Sequence, residues 1–308
     1  IVLEEDISSL DEVVVVGYGT QNKVNLSGAL ETVTAKELSN RATNNVGVAL
    51  QGLVPNLNIT MSSGGADYTP TFNIRGETSI NGGEPLILVD GVPVTAADFS
   101  RMNSLDIENI SILKDASSAA VYGARAAFGV ILVTTKKGEE GAIKVNFNNS
   151  FSVRTPTRIV QVVEDPYIQA SYKTIMGAPW YHLYTDEEID YAQQRVEDPS
   201  LPSAIPSTQD KSQYTYLDAH NYYEDIFEST ALSHQHSLSL SGGSSKATYY
   251  LGMEYYGEDG LLRYNKDEYN RYNVRSKVEY HPWKWLTVGN NTSWSYSTYD
   301  RPTHFSSN

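Results

Sequence analysis

LDIENISILKDASSAAVYGARAAFGVILVTTKKG, residues 105–138, is the stretch on which the fold turns. DIENISILK (106–114) reads as a strand. Asp115 then caps a short helix through ASSAAVYG, and GVILVTTK (129–136) returns as a buried strand. Upstream, FNIRG (72–76) and PLILVDG (85–91) read as further strands, separated by Gly- and Asn-rich turns such as NGGE (81–84). Thr34–Leu38 and Asn44–Leu53 are expected to be short helices, the second with Asn44 as N-cap and Pro55 just past its end. These segments together describe a compact α+β domain.

Downstream the pattern changes to period two. In IKVNFNNSFSVR, Ile143, Val145, Phe147, Phe151 and Val153 are apolar, while Lys144, Asn146, Asn148, Ser150, Ser152 and Arg154 lie between them. The same alternation sets Leu238 and Leu240 against serines, and groups Ala247, Tyr249, Leu251, Met253 and Tyr255. It then sets Tyr272, Val274, Val278 and Tyr280 against Arg271, Asn273, Arg275, Lys277 and Glu279. Finally it sets Leu286, Val288, Trp294 and Tyr296 against Thr287, Asn291, Ser293 and Ser295. Five amphipathic strands of about 10–12 residues result, each long enough to cross a tilted bilayer path. Their connections run long (155–231), short (242–245), long (257–268), short (281–285). Periodicity alone fits a soluble sandwich or lipocalin-like barrel equally well. Loop alternation and the aromatics near strand ends favour a membrane barrel.

Composition agrees with a change of character near residue 142: 19 of 22 Tyr and all 4 Trp follow it. The net charge is −14, with 9 basic against 17 acidic residues up to 142 and 14 against 20 afterwards. Neither part carries the basic footprint that nucleic-acid binding needs. With no cysteine there is no disulfide, thiolate metal site or thiol nucleophile. The apolar runs Val13–Val16 and Pro85–Val89 are far too short for a spanning helix. No GxSxG elbow, HExxH helix or phosphate loop is present, so an enzyme is not expected. His234 and His236 share a strand face and read as rim residues rather than metal ligands. DEEID (186–190) reads as a solvated or capping charge run.

DEVVVVGYGTQ (11–21), FNIRG with PLILVDGVP (72–93), and the 105–138 run together closely resemble the SusC/RagA family of TonB-dependent outer-membrane transporters of the Bacteroidetes. The resemblance is firm over roughly 11–155. It implies a TonB-box segment (1–20), an α+β plug domain (21–138) and the opening strands (139–308) of a transmembrane antiparallel barrel. Twenty-two strands are expected in that barrel, about five of them here. A globule of the plug's size is roughly 35 Å across, which suits a 22-strand lumen of roughly 34 Å better than a 16-strand one of about 22 Å. Five strands cannot close, so the chain is expected to be a fragment.

The function implied is active import of oligosaccharides across the bacterial outer membrane with a SusD-like surface lipoprotein and no cofactor. TonB, energised by ExbB and ExbD, would supply the work, and outer-membrane lipid would surround a dimer of transporter–lipoprotein pairs. Alternatives are a peptide importer of the RagA kind, a siderophore or vitamin receptor, and a soluble β-rich carbohydrate-binding protein. TonB is expected on Val13, Val14, Val15 and Val16, whose β-branched run suits strand addition. Substrate contact is expected at Asp67, Tyr68, Asn81 and Glu84 in two polar plug loops, which offer acceptors and a stacking face. A second candidate is the aromatic first loop with Trp180, Tyr181, Tyr184, Tyr214, Tyr216, Tyr222 and Tyr223. Arg75 and Arg125 are expected to lock plug to barrel carboxylates, as in the family, or simply to brace plug turns.

Overall fold

A computed structural model describes residues 13–16, 19–22, 30–39, 41, 43–74, 83–115, 119–159, 161–177, 183–263 and 267–300. At the start, β1 (Val13–Val16) and β2 (Gly19–Asn22) pair antiparallel as a two-stranded hairpin. β3 (Leu30–Thr34) leads into α1 (Ala35–Ser39), so the first expected helix starts one residue later than read. The second is much shorter than read. α2 covers only Val46–Ala49, and its N-cap is Asn45, not Asn44, accepting from Val48 N at 3.2 Å. Gly52 and Asn56, both at positive φ, turn the chain before Pro55 and after it. β4 (Asn58–Thr60) and β5 (Thr71–Asn73) form a small hairpin around the 61–70 loop.

β6 (Leu86–Val89) and β7 (Val92–Val94) follow, then α3 (Ala96–Ser100), β8 (Ile107–Leu113) and β9 (Val130–Thr135). One five-stranded sheet results, in the order β3-β8-β9-β6-β7, antiparallel except for the β6–β9 pair. Both faces of its centre are covered. Ile131 and Val133 point into a core with Leu38, Leu50, Phe72 and Phe99, while Val130 and Leu132 meet Ala119 and Ala126 on the other side. That double burial is why GVILV reads as an unbroken apolar run.

The five long strands are β10 (Gly141–Arg154), β13 (Ala231–Ser244), β14 (Ala247–Asp259), β15 (Glu268–Trp283) and β16 (Leu286–Asp300), side by side in that order. At 13–16 residues they are longer than the sequence pattern suggested, because ladder pairing continues into segments read as turns. Ser245–Lys246 and Lys284–Trp285 are the whole of the two short connections. Register aligns the alternation across strands. Leu238, Met253, Val274 and Trp294 form one cross-strand row, and His236, Tyr255, Tyr272 and Tyr296 the next. Leu238, Met253, Tyr272, Trp294 and Tyr296 in these rows are exposed, Trp294 by 54%, as is Phe147 of β10 by 67%. Ser237, Glu254, Asn273 and Arg275 on the other face are buried. A sheet with its polar face inside and its apolar face outside is inverted relative to a soluble sandwich, and it fits a wall facing lipid. The soluble alternative is thereby excluded.

The chain divides into two compact units, the second made of residues 153–231 and 261–265. This second unit packs α4 (Pro166–Met176), α5 (Asp186–Glu197), the hairpin of β11 (Ala204–Pro206) and β12 (Tyr214–Tyr216), and α6 (Tyr222–Ile226). Its core is Ala170, Ala192 and Leu217 with Tyr184 and Ile205 against them. Within DEEID, Glu188 is fully buried rather than solvated. It closes a capping box with Thr185 and accepts from Thr208 N at 2.9 Å and Thr215 Oγ1 at 2.8 Å. Burial alone would raise its pKa, but these hydrogen bonds outweigh it and hold Glu188 below the usual range.

Candidate functional site

The first unit brings the plug sheet against the inward face of β14–β16. Four successive inward positions of β15 hold three parts of the plug. Both Nη atoms of Arg271 donate to Asn44 O at 3.1 and 3.2 Å, and Asn273 Nδ2 donates to Arg101 O at 2.8 Å. Arg275 Nη2 reaches Asp90 Oδ2 at 3.2 Å, and Lys277 Nζ reaches the same oxygen at 3.4 Å. From Arg271 to Lys277 the ladder covers roughly 20 Å of strand.

Asp90 is the hub. β6 and β7 are joined by Asp90–Gly91 alone, both at positive φ (48° and 85°), as a tight twisted hairpin turn requires. The turn projects the carboxylate into the gap between sheet and wall. Besides Arg275 and Lys277 it accepts from Thr135 N at 3.0 Å, from Thr135 Oγ1, and from Asn291 Nδ2 at 2.6 Å. Burial alone would raise the pKa of Asp90; the Thr135 hydrogen bonds and the Lys277 charge outweigh it and hold it low.

Asp106 is the second contact. Asn103 caps the turn before it, and its carboxylate accepts from Tyr250 Oη at 2.7 Å. It lies against Gly252, where an added Cβ would sit 2.4 Å from Oδ1. Here burial prevails and raises the pKa above the ordinary aspartate value. The signs of the two shifts are opposite. Stability from Asp90 is complete above about pH 4 and is lost as pH falls through its lowered pKa, whereas that from Asp106 is lost as pH rises through its raised one. Acid should therefore open the Asp90 contact first. Protection of the Thr135 amide against hydrogen exchange, corrected for intrinsic rate, is expected to fall below about pH 4; unchanged protection to about pH 3 would contradict this.

Within the wall, Glu254 has a fully buried side chain and gathers Gln235 Nε2 at 2.5 Å, Arg271 Nη2 at 3.2 Å and Asn273 Nδ2 at 2.5 Å. The guanidinium of Arg271 also lies 5.2 Å from the centre of the Tyr256 ring. The glycine at the plug exit, Gly138, packs on β14 so closely that a Cβ would fall 2.4 Å from both N and O of Tyr249.

The expected substrate residues are only partly brought together. Tyr68 and Asp67 lie in the 61–70 loop. Tyr68 accepts from Ser62 Oγ at 2.9 Å, an interaction that lowers the phenol's pKa, and Tyr68 O accepts from Asn45 Nδ2 at 3.2 Å. Asn45 adjoins Asn44, so this loop is tied to the level of Arg271, on the side of the long connections. Long loops mark the extracellular end of such a wall. Glu84 lies elsewhere, lining a recess of about 340 Å³ with Phe72, Thr95 and Arg125. Arg125 is exposed on a 3₁₀ turn. Asn81, Arg75, Trp180 and Tyr181 fall outside the described residues. Tyr184 packs in the second unit's core, whereas Tyr214, Tyr216 and Tyr222 are exposed. On the outward face His236 stacks on Tyr255 and His234 lies tilted against it, and among the described residues no three His, Asp or Glu gather as metal ligands. Because Asn45 both caps α2 and holds Tyr68 O, Asn45→Ala is expected to cost about 1–2 kcal/mol in plug stability, read as a shift in the urea midpoint.

The ion pairs described between plug and wall join one plug carboxylate, Asp90, to the wall cations Arg275 and Lys277. Asp90, Asp106, Arg271, Arg275 and Lys277 were not anticipated as contact residues, although the polar stripe of β15 was visible.

An α+β sheet seated against an inverted antiparallel wall is the architecture of a TonB-dependent receptor, and residues 22–130 match the TonB-dependent receptor plug domain family. The chain is 32% identical over 298 residues to TonB-dependent receptor P26 of Formosa agariphila, covering 96% of this chain and 28% of that protein. It is 31% identical over 272 residues to TonB-dependent receptor SusC of Bacteroides thetaiotaomicron, covering 85% of this chain and 24% of that protein. A chain of the RagAB peptide importer in its open-open state superposes with a TM-score of 0.74 at 28% identity, covering 93% of this chain and 32% of that one. The chain belongs to the SusC/RagA family of TonB-dependent receptors, proteins of the outer membrane. It spans roughly a quarter to a third of the length of these relatives. A siderophore receptor, PirA of Acinetobacter baumannii, shares the fold at 16% identity and a TM-score of 0.51.

Proposed function

We propose that the transporter containing this chain imports oligosaccharides across the outer membrane, with a SusD-like lipoprotein delivering them and TonB supplying the work. The observation that carries this reading is the 61–70 loop, fastened through Asn45 at the extracellular end of the ladder, with Ser62, Asp67 and Tyr68 offering hydroxyl, carboxylate and ring. Residues 1–20 serve as the TonB segment, 21–138 as plug and 139–308 as barrel wall. Val13–Val16 stand outside the five-stranded sheet, in a two-stranded hairpin, which leaves one strand edge for a partner. Val15→Pro is expected to abolish uptake while leaving binding intact, because proline removes a ladder donor; transport that survives it refutes the assignment. Arg125 and Arg75 remain candidates for bracing the plug, and Glu84 with Asn81 for a second polar loop.

A peptide cargo is the second reading, favoured by the likeness to the RagAB peptide importer. Calorimetry of the full-length transporter against a library of neutral oligosaccharides and one of short peptides separates the two. Saturable binding of the sugars alone supports the proposal, and of the peptides alone replaces it.

A further inference from the structure

We infer that the periplasmic end of the wall holds an anionic phospholipid headgroup, taken between the stacked rings of Trp283 and Trp285 and the ammonium groups of Lys246 and Lys284. The two indoles lie 5.6 Å apart at 9°, and they are 59% and 79% exposed. Trp283 pairs with Leu286 just beyond the outward Tyr280–Val288 pair, so the shelf continues the lipid-facing surface. From Tyr272 to Tyr280 that surface runs about 27 Å along the strand, or about 20 Å of membrane depth at a tilt of about 40°. Trp283 lies three residues further, at the level where apolar tails give way to phosphates. Indoles with one apolar and one wet end settle at that depth.

Charge selects the occupant. His281 N donates to Lys246 O at 2.7 Å, which ties the Ser245–Lys246 turn to β15 three residues before Lys284. Lys246 and Lys284 are exposed, and among the described residues neither has a carboxylate partner. Lys144 is different, since Glu139 engages it at 2.9 Å. Glu279 alternates with outward Val278 and Tyr280 and so belongs to the other face. An aromatic shelf alone would suit any lipid. Two lysines on the turns that carry or adjoin it, with no carboxylate partner among the described residues, complement an anionic headgroup in the phospholipid leaflet facing the periplasm.

The test uses the full-length transporter in nanodiscs of phosphatidylcholine with about one-fifth phosphatidylglycerol, with protein-retained lipid quantified by mass spectrometry. Wild type is expected to enrich phosphatidylglycerol. K246Q/K284Q should lose roughly fivefold of that enrichment per lysine removed, and W283A/W285A should weaken retention as well. Inorganic phosphate at matched ionic strength should not displace the lipid. Enrichment unchanged in K246Q/K284Q, or displacement by phosphate, overturns the inference. Should that variant fail to insert, sodium chloride raised from about 0.05 to 0.5 M on wild type reads the same claim: enrichment should fall as charges are screened, and a flat response overturns it.

Discussion

Asp90→Asn is expected to raise hydrogen exchange in β6 and β9 roughly a hundredfold. The substitution keeps the size and one acceptor of the side chain but turns an amide NH2 towards two cations. Arg275 and Lys277, with side chains only 5% and 15% exposed, would lose their shared counter-charge. Removing one partner of a buried ion pair costs about 3–5 kcal/mol, mostly from the charge left behind. Asn291, on the exposed strand β16, gives water an approach, so the low end of that range applies. About 3 kcal/mol corresponds to the hundredfold change when exchange proceeds through local opening. Adding Arg275→Gln and Lys277→Gln should recover much of the loss, since the stranded charges then disappear. Exchange within about threefold of wild type in Asp90→Asn would show that the hub does not hold the plug.

Gly138→Ala should be more damaging still. The new Cβ would fall 2.4 Å from the main-chain N and O of Tyr249. Those atoms belong to β14, which is laddered to β13 on one side and β15 on the other, so they cannot retreat. Neither can the chain at Gly138 move freely, being the link between β9 and β10. A cost of about 3–4 kcal/mol is expected, at the upper end for overpacking, and should appear as a low yield of heat-modifiable folded transporter. Gly252→Ala is the informative comparison. Its Cβ meets the Asp106 carboxylate rather than main chain. Its defect should be milder, about 1–3 kcal/mol, and Asp106→Ala should relieve it; no substitution of a side chain should relieve Gly138→Ala.

Much of this was legible in the sequence because period-two alternation survives in every long strand. Tyr272, Val274, Val278 and Tyr280 were assigned to one face, and register places them in rows with Tyr255, Met253, Tyr249 and Ala247. The arginines and lysine between them were visible as a polar stripe. What they bind was not, since the partners Asn44, Asp90 and Arg101 are 170–230 residues distant and two of them contribute only a carbonyl. Asp90 looked like an ordinary Asp–Gly turn residue. Glu188 was hidden within an acidic run, because nothing in DEEID distinguishes the one carboxylate that caps and sinks from the three others. The short α2 was overestimated since Gly47 and Gly52 weaken a helix that packing alone sustains: a Cβ at Gly47 would meet Phe72 at 2.6 Å.

The order of the plug sheet also fixes how it responds to load. Any force drawn through the N-terminal segment arrives at Leu30, the first residue of β3. Among the described residues β3 is an edge strand, bonded to β8 alone. The attachments to the wall lie beyond it: Asp106 at the head of β8, Asp90 between β6 and β7, and Gly138 after β9. Tension therefore has a sacrificial outer layer to strip before it reaches any anchor. A first yield that frees β3 while the other four strands stay moored would appear as a separate, weaker step in a single-molecule pulling trace.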